Sequence, residues 1–231
     1  LKELVENAID AGANRIDVVL IDGGIKRIEV TDDGIGMSPD EIAVALERHA
    51  TSKLPDDDLT HIATLGFRGE ALPSMASVSR FTVASRPRGS EHGWRIKVEG
   101  GEETQNEPAA CSYGTRIIIE DLFYAVPARL KFLKTARAEQ SAALDVMKRL
   151  AMAHPNIAFS VKSDSRTLLQ LPAQGADLLG DGRNRLGDIM GRDFLDNALP
   201  IDAEREGVRL KGFAAVPTFN RGNAQHQYLF V

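Results

Sequence analysis

The sequence predicts an α/β sandwich over about residues 1–180, with a mixed, mostly antiparallel sheet and helices on one face. Apolar residues with helical spacing open the chain, β-rich runs separated by turn signals follow, and a long helical segment at 137–153 precedes further β-rich runs. The Gly- and Asp-rich stretch 175–182 is the best candidate for a domain boundary. We therefore expect the start of a second, smaller α/β domain over 181–231.

The first segment predicts a helix followed by a β-hairpin. One apolar stripe at i, i+3, i+4, i+7 and i+8 comprises Leu1, Leu4, Val5, Ala8 and Ile9. Gly12 is a suitable C-terminal cap. The β-rich runs 15–21 and 25–31 flank an Asp-Gly-Gly turn at 22–24, the arrangement of a hairpin.

A capping signal predicts the next helix. Ser38 and Glu41 have the spacing of a capping box around Pro39, and the helix that follows would bury Ile42, Ala45 and Leu46. Residues 51–69 lack a clean period and are interpreted as a loop long enough to act as a lid.

The remaining elements are predicted from hydrophobic periodicity and from residues that end helices or form turns. Short helices are predicted near 70–77 and 184–190, and Pro155 ends the helix at 137–153. The predicted strands are 79–86, 93–99, 114–120, 157–163, 167–171, 197–202, 207–216 and 225–231. Because Leu1 already lies in a helix and 225–231 stops on an apolar residue, we interpret the sequence as a fragment.

Composition narrows the function classes. The 28 basic and 33 acidic residues give a net charge of -5, so contact with nucleic acid requires a local basic patch or residues outside this segment. The single cysteine, Cys111, excludes an internal disulfide and a cysteine-rich zinc site. The five histidines show no metal-ligand spacing. No apolar run approaches the roughly 20 residues of a membrane helix.

Polar residues on the first helix are a candidate metal and water site. Glu3, Asn7 and Asp10 share the face opposite the apolar stripe. A carboxylate and an amide one turn apart can hold a water molecule and Mg²⁺ at neighbouring points. The alternative is an ordinary solvated helix face, which the spacing alone favours.

Two glycine-rich segments are candidate ligand sites. Asp32, Gly34 and Gly36 follow a strand, where a carboxylate can accept a hydrogen bond from a ligand amine; a simple turn is the alternative. A second segment leads into a helix whose backbone N–H groups suit phosphate, or else forms a capped loop. It comprises Gly66, Phe67, Arg68, Gly69, Glu70, Ala71 and Leu72.

Two further clusters of polar and basic residues each have a functional and a purely structural interpretation. Thr51, Ser52 and Lys53 supply two hydroxyls and a cation at the start of the predicted lid, or else end a helix. A basic cluster beside Phe132 could contact phosphates, although a solvated face is the simpler interpretation. Its members are Arg129, Lys131, Lys134 and Arg137.

The order of these motifs resembles the ATPase superfamily of gyrase, the heat-shock chaperone, histidine kinases and MutL. Four segments make the sequence similar to the MutL family of DNA mismatch repair proteins. They are KELVENAIDAGA at 2–13, RHATSK at 48–53, GFRGEAL at 66–72, and DLFY at 121–124 leading to Pro127-Ala128-Arg129. The resemblance covers essentially the whole chain and is densest before residue 135.

The resemblance implies roles for matching residues. Glu3 would be the general base, Asn7 the Mg²⁺ ligand, and Asp32 the acceptor for the adenine amino group of ATP. Gly34 and Gly36 would let the backbone approach the adenine base of ATP closely. Thr115 would place a hydroxyl near the same adenine. The remaining implied ATP-binding residues are Asp10, Met37, Thr51, Ser52, Lys53 and 66–72. Asp33 stands where the family usually has Asn.

The resemblance also implies a biological setting. It predicts a Mg²⁺-dependent ATPase switch that couples mismatch recognition to strand processing, with a MutS-type sensor and DNA as partners. A homodimer is expected in the intact protein, in the bacterial cytoplasm near the nucleoid and away from membranes. A dimerisation arm before Leu1, a phosphate-facing lysine beyond Val231 and a C-terminal dimerisation domain are also implied, so weak activity is expected of the fragment.

Two alternatives remain at this point. One is another ATPase of the same superfamily, such as a type II topoisomerase subunit. The other is a module that binds nucleotide or DNA without turnover, against which the pair Glu3 and Asn7 argues because a pure binder needs no water-activating base.

Overall fold

A computed structural model describes residues 1–47, 70–175, 182–220, 222 and 226–230. Its strands are β1 Arg15–Ile21, β2 Arg27–Asp32, β3 Arg80–Arg86, β4 Gly93–Glu99, β5 Glu102–Ala109, β6 Gly114–Glu120, β7 Ala158–Ser163, β8 Arg166–Leu171, β9 Ala198–Arg205 and β10 Val208–Ala215. Its helices are α1 Lys2–Asp10, α2 Pro39–Leu46, α3 Ala71–Ala76, α4 Ala136–Ala153, α5 Arg183–Met190 and α6 Arg192–Asp196.

Eight strands form one mixed sheet in the order β5-β4-β3-β6-β2-β1-β7-β8. Neighbouring strands are antiparallel except β1 and β7, which are parallel. The predicted hairpin exists as β1 and β2, joined by a short 3-10 turn at Asp22–Gly24. The mixed, mostly antiparallel sheet is therefore confirmed.

The two faces of the sheet differ in chemistry. The face that meets the helices is apolar, with alternate residues of β1 completely buried together with Val5 of α1 and Met147 of α4. On the opposite face, Arg27 and Arg116 both pair with Glu29, at 2.6 and 2.7 Å. Helices therefore cover one face, as predicted.

Local capping explains where the first helices begin and end. Gly12 has φ +70°, and the amides of Gly12 and Ala13 donate to the carbonyl oxygens of Ile9 and Ala8, at 2.9 and 3.2 Å. This is a Schellman motif. At α2 the predicted capping box forms: Glu41 N–H donates to Ser38 Oγ at 3.3 Å, and Ser38 N–H donates to the Glu41 carboxylate at 2.7 Å.

The C-terminal part contains α5, α6 and a two-stranded antiparallel hairpin of β9 and β10. Arg185 of α5 is fully buried, and its Nη2 donates to the carbonyl oxygens of Pro155, Ile157 and Pro172 at 2.8 to 2.9 Å. This arginine attaches α5 to the ends of β7 and β8. The domain boundary itself stays a prediction.

Some elements differ from the sequence predictions. β5, α6 and a 3-10 helix at Pro127–Phe132 were not predicted. The strand predicted at 225–231 is wrong for residues 226–230, which have no strand structure. A β-rich segment becomes a strand only in a hydrogen-bonded ladder, and no ladder partner lies beside it in the part of the chain that the structure describes.

Among the described residues, no helix is both long and apolar enough to cross a membrane.

Candidate functional site

The buried face of the sheet changes from apolar to polar at one end. Register places the residues of β3, β6 and β2 in rows across the sheet. Two successive rows are apolar: Phe81, Ile119 and Ile28, then Val83, Ile117 and Val30. The next row is polar and comprises Ser85, Thr115 and Asp32. Polar side chains on a buried face need partners, so this polar row marks the candidate site.

Asp32 ends β2 as a carboxylate that is only 9% exposed. Burial raises the pKa of Asp32 to about 6, the adjacent Asp33 adds to this, and hydrogen bonds from the backbone amides of Gly34 and Thr115 oppose it. The Gly34 N–H lies 2.9 Å from Asp32 Oδ1. The result is a buried acceptor whose charge is only partly compensated by the protein.

Ser85 is the fully buried centre of the polar row. Its Oγ accepts from the Met37 amide at 2.8 Å and donates to the Gly114 carbonyl oxygen at 2.9 Å. It also lies 2.9 Å from Thr115 Oγ1. One hydroxyl thus connects β3, β6 and the turn after β2.

Two glycines bring that turn close to its neighbours. A side chain at Gly34 would approach the Ala11 carbonyl oxygen at 2.8 Å. Gly36 has φ +73°, and a side chain there would overlap the backbone of Arg86. In addition, Ile35 N–H donates to the Ala11 carbonyl oxygen at 3.0 Å. The turn is therefore fixed between the end of α1 and the end of β3.

Asp33 has a structural role. Its Oδ1 accepts from the backbone amides of Asn14 and Arg15, at 2.7 and 2.8 Å. Both contacts require an acceptor and no donor, which an Asn side chain could also supply. This explains how Asp is accommodated at the position where the resemblance leads one to expect Asn.

The three polar residues of α1 lie on its less buried side. Glu3 is exposed, whereas Asn7 and Asp10 are half-buried. The end of this helix reaches the polar row through the contacts of Ala11 with Gly34 and Ile35. The structure therefore joins α1 to the turn that holds Asp32.

The remaining predicted site residues either lie outside the described residues or belong to the start of α3. Thr51, Ser52, Lys53, Gly66, Phe67, Arg68 and Gly69 lie outside the described residues. Glu70 is the N-terminal flank of α3 and makes no side-chain capping bond to that helix. Ala71 begins α3, and the partly buried Leu72 packs against the core.

The basic cluster is exposed. Arg129, Lys131, Lys134 and Arg137 all face solvent, as does Phe132. Exposure fits both interpretations of the cluster. Across the described ranges, no group of three or more His, Cys, Asp or Glu residues could hold a metal ion.

Sequence reasoning missed Ser85. One signal was present: in the strand predicted at 79–86, Phe81 and Val83 occupy the buried face, and Ser85 continues that alternation with a hydroxyl. A polar residue in phase with buried apolar residues needs a partner.

Comparisons with known proteins give the class first. Residues 1–114 match the family model described as histidine kinase-, DNA gyrase B- and HSP90-like ATPase. Residues 186–231 match the model described as DNA mismatch repair protein, C-terminal domain. The Aquifex aeolicus MutL ATPase domain complexed with ADP superposes with a TM-score of 0.75 at 27% identity, over 96% of this chain and 76% of that one.

Curated relatives give the family. DNA mismatch repair protein MutL of Paramagnetospirillum magneticum is 60% identical over all of this chain and 38% of its own length. The MutL protein of Rhodospirillum rubrum is 56% identical over all of this chain and 37% of its own length. Over these 231 residues the chain belongs to the MutL family, and it spans somewhat more than a third of the relatives' length.

Proposed function

We propose that this chain is the ATP-binding and ATP-hydrolysing region of a DNA mismatch repair protein, acting as a switch between mismatch recognition and strand processing. Family membership supports the proposal. The structurally similar Aquifex aeolicus MutL ATPase domain, solved in complex with ADP, also supports it. Nucleotide binding and hydrolysis would change the conformation of the intact protein.

The buried carboxylate of Asp32 is the observation that carries the proposal. It is an acceptor at a strand end that takes hydrogen bonds from the backbone amides of Gly34 and Thr115, and the neighbouring rows of the buried face are apolar. A buried anion with so few protein donors gains most from a ligand that brings its own donor. The amino group of adenine is such a donor.

The α1 helix would supply the hydrolytic groups. Glu3 is exposed and one turn from the half-buried Asn7, so a carboxylate can accept a proton from water while an amide oxygen faces a cation. This donor set fits Mg²⁺ held mainly by water and nucleotide phosphates. Mg²⁺ dependence, and weak turnover by these 231 residues alone, are parts of the proposal.

Partners are proposed from the family. A MutS-type mismatch sensor, DNA and a second copy of the intact protein would be the partners, with the exposed basic cluster at 129–137 as one source of DNA contact. Work on chromosomal DNA would place the protein in the bacterial cytoplasm near the nucleoid.

Replacing the proposed adenine acceptor tests the function. Asp32→Ala in the intact protein should weaken ADP binding roughly 10- to 150-fold, because a hydrogen bond to a charged group is lost. Isothermal calorimetry with ADP and GDP measures both affinity and base preference. Asp17→Ala is the matched control, since Asp17 lies on β1 and bonds to Arg15 and Ser160 away from the polar row.

The outcomes separate clearly. Weaker ADP binding in the Asp32 variant alone supports the proposal. Unchanged ADP affinity, with an unchanged preference over GDP, would sink it.

A further inference from the structure

The Ser85 hydroxyl has three polar contacts but only one proton, so it can donate in only one of them. A hydroxyl has one donor and two acceptor sites. The Met37 amide is a donor, so it occupies one acceptor site of Ser85. The Gly114 carbonyl oxygen is an acceptor, so it takes the Ser85 proton.

The third contact, between Ser85 Oγ and Thr115 Oγ1 at 2.9 Å, could by itself have either hydroxyl as its donor. All three contacts are hydrogen bonds at once only if Ser85 donates to the Gly114 carbonyl oxygen and accepts from Thr115, and this arrangement satisfies every polar group. The Thr115 proton is therefore directed back into the sheet. Only the lone pairs of Thr115 remain for a ligand.

Thr115 and Asp32 are neighbours in the same polar row. They are directly paired between β6 and β2, and both are 9% exposed. Directly paired residues of antiparallel strands project on the same face. An ionised Asp32 also offers only acceptors, so this end of the site presents acceptors to whatever binds there.

We propose that Ser85 is a specificity-determining positioning residue, which fixes the Thr115 hydroxyl as an acceptor and so selects a base carrying an amino group over one carrying a carbonyl oxygen. This inference rests on the proposed nucleotide site and goes beyond it, because Ser85 acts through Thr115. A 6-oxo base would place its oxygen against two acceptors with no proton between them.

The test compares ADP with inosine diphosphate, which has a carbonyl oxygen where ADP has its amino group. Removing the Ser85 hydroxyl frees the Thr115 proton to point towards the ligand. In the intact protein, Ser85→Ala should lower the ADP-to-inosine-diphosphate affinity ratio roughly 5- to 20-fold, the scale of one hydrogen bond. Calorimetry gives both affinities directly.

Two further variants separate positioning from general damage. Ser79→Ala removes another fully buried hydroxyl, which donates to the Met75 carbonyl oxygen at 2.6 Å and makes no contact with the polar row. The ratio should stay at its wild-type value in this variant. Thr115→Val should lower the ratio without disturbing the buried serine, and adding Ser85→Ala to it should change the ratio by less than about twofold.

An unchanged ratio in Ser85→Ala or in Thr115→Val would overturn the inference. The inference would also be overturned if Ser85→Ala changed the affinity ratio equally in the wild-type and the Thr115→Val backgrounds. It would be overturned as well if Ser79→Ala changed the ratio as much as Ser85→Ala does. If Asp32→Ala also leaves ADP affinity unchanged, the nucleotide site itself fails. If Asp32→Ala weakens ADP binding but the Ser85 and Thr115 variants leave the affinity ratio unchanged, the nucleotide site is supported and the specificity role of Ser85 is refuted.

Discussion

At the scale of single residues, Asp32 opposes stability in the absence of ligand. Burial raises the pKa of Asp32 from an ordinary 3.8 to about 6. An acid with a raised folded-state pKa destabilises the fold when it is ionised. The destabilisation is complete above about pH 6 and disappears as the pH falls towards 3.8.

We therefore expect Asp32→Asn to stabilise the nucleotide-free protein at neutral pH. The free energy of unfolding should rise by about 1–3 kcal/mol at a pH near 7.5, and the gain should vanish near pH 4. Urea denaturation at several pH values measures this, with Asp17→Asn as the control. A gain that does not depend on pH, or a loss at neutral pH, would contradict the electrostatic account.

Glu3 is the residue on which hydrolysis depends in the proposed function. Glu3→Ala in the intact protein should bind ATP with near wild-type affinity, because Glu3 is exposed and is not part of the polar row. Its phosphate release should fall about 10²- to 10⁴-fold, the usual contribution of a general base.

A phosphate-release assay at saturating Mg²⁺-ATP, with binding measured in parallel, checks the Glu3 prediction. Hydrolysis within a few-fold of wild type would show that the water is activated by another group. Loss of binding together with hydrolysis would instead assign Glu3 a structural role.

At the scale of elements, Gly114 controls how closely β6 approaches β2. A side chain at Gly114 would overlap the backbone carbonyl of Asp32. Gly89 also has a positive φ, +86° against +99° for Gly114, but its surroundings are open. The two positions therefore share the backbone strain of a substitution and differ only in the space available.

We expect Gly89→Ala to cost about 1–2 kcal/mol of unfolding free energy, the strain of a non-glycine residue at positive φ. Gly114→Ala should cost about 3 kcal/mol more, because β2 and β6 must separate at the polar row. Denaturant unfolding of both variants tests this difference. Equal losses would show that the sheet adjusts without penalty.

Sequence reasoning predicts an element when local signals agree with its environment. The capping box at Ser38 and the Gly12 terminus are local, and both form as predicted. β5 carries almost no such signal, since it is polar along its length and its strand structure depends on pairing with β4. Residues 226–230 show the reverse, a β-rich composition without a ladder.

The polar row shows why the site is only partly predictable. The motif predicts Asp32 because the acid and its glycines are adjacent in sequence. The partnership of Ser85 with Thr115 spans 30 residues and depends on the register of β3 with β6. Register follows from three-dimensional pairing, and a shift by one residue would move every side chain to the other face.

At the scale of the whole molecule, the sheet separates two environments. Its covered face holds the core and the polar row, and its open face holds ion pairs such as Arg27 and Arg116 with Glu29. The Glu29 side chain is only 12% exposed, so the cost of removing its charge from water offsets much of the attraction in these pairs. Most of the stability must therefore come from the apolar face, which also excludes water from the surroundings of Asp32.

The parallel pairing of β1 with β7 constrains how the chain matures on the ribosome. Asp17 and Ser160 meet across this ladder although 143 residues separate them. At about 5–20 residues per second, β7 is synthesised roughly 7–29 s after β1. Until then β1 has an unpaired edge beside apolar Val18 and Leu20, which is a template for pairing with other nascent chains. Chaperones that bind emerging apolar segments would therefore matter most for this protein during that interval.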